Sequence, residues 1–90
     1  MKIAINTCFG GFSLSEKAAS ILNVNPYDNI NRTNPQLIAM VELDAKATGG
    51  MFAELEVVEI PDDATDYLID EYDGCETIYY VLNGKIHRTY

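Results

Sequence analysis

The residues best suited to chemistry lie between Cys8 and Ser13, in the run Cys8-Phe9-Gly10-Gly11-Phe12-Ser13. Paired glycines after a strand and before a helix let the backbone turn tightly and expose its amides near the positive end of the helix dipole. Phosphate or carboxylate groups bind well in such a place. Phe9 and Phe12 offer flat faces on which a base stacks, and Arg32, His87 and Arg88 are the cations that would neutralise the ligand's charge. The alternative for the loop is a tight turn whose phenylalanines serve the core. Cys8 and His87 also have the residue types of a thiol nucleophile and its base, although spacing places no third residue to orient them.

Other chemistries lack their signatures. The loop has neither the Gly-Lys-Ser/Thr of a nucleotide-phosphate loop nor the third glycine of a dinucleotide fingerprint. Two cysteines and one histidine, without Cys-x-x-Cys or His-x-x-x-His spacing, make a poor zinc set. Asp70-Glu71-Tyr72-Asp73-Gly74 misses the calcium-loop spacing. No metal or cofactor is therefore expected.

Charge is distributed unevenly. The net charge is −8, yet acids and bases balance from Met1 to Ala53, whereas Glu54 to Glu76 holds ten acids and no base. Such a field repels nucleic acid and anionic membrane and attracts basic partners; it also serves simply to keep a small protein in solution. Tyr67, Tyr72, Tyr79, Tyr80 and Tyr90 fall late in the chain, as an interface or as cross-strand packing pairs.

The elements that must position these groups read as follows. Lys2–Thr7 forms a strand with Ile3 and Ile5 on one face. Ser13 is a helix N-cap with Glu16 completing a capping box, and Leu14, Ala18, Ile21 and Leu22 form the buried stripe. Residues 23–34 make a polar connector, mobile or in contact with a ligand. Pro35 opens a second helix capped by Thr33 or Asn34, with Leu37, Ile38, Met40, Val41 and Ala45 inward and Gly49-Gly50 at its end. Strands follow at Phe52–Ile60, Tyr67–Tyr72, Glu76–Leu82 and Lys85–Thr89, the last two joined by Asn83-Gly84. Adjacent Val57 and Val58 make the first of these either bulged or contacted on both faces. The order β-α-α-β-β-β-β predicts one α/β (α+β) domain over residues 1–90, with a single sheet of four to five strands and two helices on one face.

Ninety residues bury little surface for their length, so a homo-oligomer is a natural remedy. No apolar run is long enough to cross a bilayer, and the N-terminus turns polar too early for a secretory signal. The expected location is the cytosol, with Cys8 and Cys75 as reduced thiols; spacing alone cannot show whether the fold brings them together.

The opening Met1-Lys2-Ile3-Ala4-Ile5-Asn6-Thr7-Cys8-Phe9-Gly10-Gly11-Phe12-Ser13-Leu14-Ser15 resembles a family of small phage and prophage proteins. Arg32-Thr33-Asn34-Pro35, Phe52-Ala53-Glu54-Leu55, Val58-Glu59-Ile60-Pro61-Asp62-Asp63, Glu71-Tyr72-Asp73-Gly74 and the ending His87-Arg88-Thr89-Tyr90 extend the likeness. The chain departs from the family pattern at Tyr80–Ile86, which looks like an inserted hairpin, and at Tyr90, where tryptophan is usual. The resemblance implies a setting, in which small accessory proteins blunt host defence by sequestering a signalling nucleotide or by occupying a defence protein. The expectation is thus a non-enzymatic sponge for a small anionic, nucleotide-like ligand held by Cys8, Phe9, Gly10, Gly11, Phe12, Ser13, Arg32, His87 and Arg88. The alternatives are an acidic inhibitor that mimics nucleic acid in a basic groove of a host protein, and a thiol-dependent enzyme.

Overall fold

A computed structural model describes residues 1–89; the Tyr90 end of the family motif and of the tyrosine cluster lies outside it. The elements run β1 (Lys2–Asn6), α1 (Glu16–Leu22), α2 (Pro35–Thr48), β2 (Leu55–Glu59), β3 (Asp66–Tyr72), β4 (Cys75–Leu82) and β5 (Lys85–Arg88). This is the order read from the sequence, in an α+β fold.

The expected single sheet is instead two. β1 pairs antiparallel with β2, and β3, β4 and β5 form a separate antiparallel sheet in that order. The division has a hydrogen-bonding cause. On the side of β1 away from β2, the Ala4 amide donates to the Arg32 carbonyl (2.9 Å) and the Asn6 amide to the Glu76 carboxylate (2.7 Å). With loop and side-chain groups satisfying that edge, no further strand can join it.

β1 separates two apolar clusters. On one side Ala4 meets Leu14, Ala18 and Ala19 of the α1 region, Leu37, Ile38 and Val41 of α2, and Leu55. On the other, Ile3 and Ile5 meet Ile60 and Ile78, so the inward face of β4 covers them. The β1–β2 register runs without a slip from Lys2↔Glu59 to Asn6↔Leu55. No bulge is present: Val57 packs on the helix-side cluster and Val58 on the β4-side cluster, so β2 is contacted on both faces.

Helix α1 starts later than the capping-box reading placed it. Ser15, not Ser13, is the N-cap, and its Oγ accepts the Ala18 amide (3.1 Å). Ser13 and Leu14 are held extended because the Ser13 carbonyl accepts from Gly50, Leu14 bridges Gly49, and the Leu14 amide donates to Pro26. Helix α2 begins as expected, with Asn34 Oδ1 accepting the amides of Gln36 and Leu37 and Pro35 in the first turn. It is interrupted at Asp44, whose backbone leaves helical geometry (φ −158°, ψ 88°) and whose side chain caps the last turn at Ala47. The connector between the helices is tied down, since Val24 and Ile30 pack on the core and the Arg32 carbonyl extends the edge of β1. Both β-turns, Asp73-Gly74 and Asn83-Gly84, have positive φ at both positions, the geometry of two-residue type I′ hairpins.

Candidate functional site

The glycine loop leads out of β1 through Asn6, a fully buried polar residue. Asn6 Nδ2 donates to the carbonyls of Cys8 (2.6 Å) and Gly74 (2.8 Å), while its Oδ1 accepts the Glu54 amide (2.8 Å). One side chain thus binds the loop, the start of β2 and the β3–β4 turn together. The glycines permit close approach of these three segments. A Cβ on Gly10 would stand 1.6 Å from the Phe52 carbonyl oxygen, and one on Gly74 would stand 2.6 Å from the Gly11 nitrogen. The loop backbone is packed against backbone on two sides, a requirement that by itself accounts for Gly10 and Gly74.

Arg32 does reach this region, but it arrives neutralised. Its guanidinium lies over the Phe12 ring (3.5 Å from the centroid) and forms a bidentate pair with Glu76 at 2.6 and 2.9 Å. The side chains are only 15% and 8% exposed. Glu76 also accepts the Asn6 amide, so the carboxylate joins Arg32 to the Asn6 brace. The remaining guanidinium nitrogen, Nε, is buried without a hydrogen-bond partner.

Arg88 and His87 do not converge on the loop. Directly opposed residues of an antiparallel ladder share a face. Tyr79 opposes Arg88 and Tyr80 opposes His87. Glu76, Ile78 and Tyr80 alternate onto the inward face of β4, so Tyr79 and Arg88 lie on the outward one. The sheet therefore stands between Arg88 and Arg32. Arg88 sits over Tyr79 at 6.0 Å. His87 is stacked on Tyr80 at 5.1 Å, and Tyr80 is four residues along β4 from Glu76, about 13 Å at strand rise.

The remaining nominated residues divide between surface and interior. Phe9 is 67% exposed and Ser13 is buried. The Cys8 thiol donates to the Phe52 carbonyl (3.0 Å) and lies 3.4 Å from Asn6 Oδ1, so its partners are oxygen acceptors rather than the His87 imidazole. Cys8 and Cys75 are both free thiols. Among the described residues no group of three His, Cys, Asp or Glu side chains is placed to hold a metal, and no helix is long and apolar enough to cross a membrane.

Two features went unnoticed in the sequence. Glu76 belongs to the acidic run in sequence, yet it is the buried partner of Arg32; its place opposite Glu71, two residues past the Asp73-Gly74 turn, is the available clue. A half-open cavity of about 670 Å³ also lies between Cys8 and the chain from Ala45 to Leu55, bordered by Lys46, Gly50, Met51, Phe52 and Glu54. Of the nominated residues only Cys8 lines it, and the second glycine pair, Gly49-Gly50, was its signal.

In comparisons with protein-family models, curated proteins and solved structures, none matched this chain.

Proposed function

We propose that the protein works without catalysis, as an acidic binding protein that occupies a basic, nucleic-acid-accepting groove of a partner protein. The observation that carries this reading is the pairing of Glu76 with Arg32. It uses the one acid of the Glu54–Glu76 run that is buried to silence the one arginine beside the glycine loop. The other nine acids, from Glu54 to Asp73, are exposed along β2, β3 and their turns with no base among them. An anion site at the loop is thereby disfavoured, and the nine exposed acids remain to meet a basic partner. The phage-family resemblance makes the proposed partner a nucleic-acid-handling protein of the bacterial host.

The test is affinity capture from host lysate, followed by elution with duplex DNA. The reading expects the retained proteins to be released by DNA and by salt. It also expects them to be lost when Glu59→Gln, Asp63→Asn, Asp70→Asn and Asp73→Asn are combined. Retention unchanged by that variant would overturn it.

The 670 Å³ cavity favours a second reading, capture of a small nucleotide-derived anion, moved from the glycine loop to Lys46 and Phe52. Its size lies within the range of ligand sites. Native mass spectrometry of protein from signal-producing cells should then show a retained small mass that disappears with Lys46→Glu; apo protein throughout would dismiss capture.

A further inference from the structure

The three-stranded sheet has two open edges, and they differ in charge. Among the described residues, no element other than β4 contacts β3 or β5. Open edges invite pairing with another chain, and proteins blunt them with short strands, charges, bulges, prolines or covering segments; of these, the four-residue length of β5 and charge are present here, and the charge differs in sign between the two edges. Here the ladders run without a slip from Asp66↔Val81 to Tyr72↔Cys75 and from Tyr79↔Arg88 to Leu82↔Lys85. The last proline of the chain is Pro61, before either strand.

β3 carries Asp66, Asp70 and Glu71, whereas β5 carries Lys85, His87 and Arg88. Pairing β3 with a second β3 sets acid against acid, and pairing β5 with β5 sets base against base. Only β3 against β5 is complementary. The outward face adds an apolar match. Leu68 opposes Tyr79 and Ile86 opposes Val81, so Leu68 and Ile86 share the face that also holds Asp66, Asp70 and Arg88. Leu68 is 62% and Ile86 76% exposed, each on a strand that, among the described residues, no element other than β4 contacts.

We propose that copies of this chain associate head to tail, β3 of one along β5 of the next. The register that closes Leu68 onto Ile86 sets Arg88 opposite Asp66 with the strands antiparallel, or opposite Asp70 with them parallel, because these acids flank Leu68 on its own face. Because the two patches differ, the contact is heterologous and each added copy presents a fresh edge, so the product is a ring or a filament. The inference stands on the edges alone and is independent of the partner proposed above.

Sedimentation velocity of the full chain over a wide concentration range tests it. Wild type should show an average mass that climbs with concentration. Asp66→Lys with Asp70→Lys, and separately Lys85→Glu with Arg88→Glu, should each weaken association at least tenfold. Mixing the two variants restores complementary edges and should recover association, which a merely unfolded variant would not do. Wild type that stays monomeric throughout would overturn the proposal. So would a variant that associates as strongly as wild type, or a mixture that associates no better than its components.

Discussion

The Asn6 side chain places both amide hydrogens on carbonyls, those of Cys8 and Gly74, and its Oδ1 accepts the Glu54 amide with the Cys8 sulfur 3.4 Å away. Replacing it with Leu orphans buried backbone groups on three segments, and a loss of about 3 kcal/mol in denaturant unfolding is expected. Glu76→Gln leaves Arg32 buried beside an uncharged amide and is expected to cost about 3–5 kcal/mol by the same measurement. A destabilisation below about 1 kcal/mol would show that the pair is not the brace argued above. Glycine substitutions should separate in the same assay. Gly10→Ala meets the Phe52 carbonyl and must shift backbone, whereas Gly84→Ala finds open space and bears only the strain of its positive φ, about 1 kcal/mol. Asp62 supplies the pH dependence. The N-terminal ammonium, hydrogen-bonded to it, holds its carboxyl below the ordinary value of 3.8. A depressed carboxyl stabilises the fold above its unfolded value and loses that contribution as pH falls through the folded one. The stability gap between wild type and Asp62→Asn should therefore hold from neutral pH down to the ordinary carboxyl value of 3.8, shrink below it, and close only once pH falls past the lowered value of the folded protein.

At the scale of elements, what could be read from the sequence depended on whether the cause was local. Asn34-Pro35 and Asn83-Gly84 carry their own geometry, and each lies where its residue type predicts. Asn34→Ala should accordingly cost about 1 kcal/mol in thermal or denaturant unfolding, the usual value of a helix cap. The start of α1 was misread because Ser13 and Ser15 are both good caps. Contacts from residues distant in sequence, Pro26 on the Leu14 amide and Gly50 on the Ser13 carbonyl, keep this stretch out of the helix and decide between them. The split into two sheets was hidden for the same reason, since it depends on Arg32 and Glu76 reaching β1. The candidate site suffered most. Arg32 lies over Phe12 in the loop, but a carboxylate 44 residues away cancels its charge, and strand alternation sends Arg88 to the other face.

Over the whole molecule these pairings leave an interior whose charges cancel and a surface that is strongly negative from β2 to the β3–β4 turn. Binding through that surface is electrostatic, so it is set more by the sum of charges than by any single residue. The most direct measurement is displacement of fluorescent duplex DNA from the captured basic partner, followed by anisotropy as the protein is added. Wild type should release the DNA, and the Glu59→Gln, Asp63→Asn, Asp70→Asn, Asp73→Asn variant should need at least tenfold more protein. DNA that stays bound at saturating wild type, or that the neutralised variant releases equally well, would contradict the account.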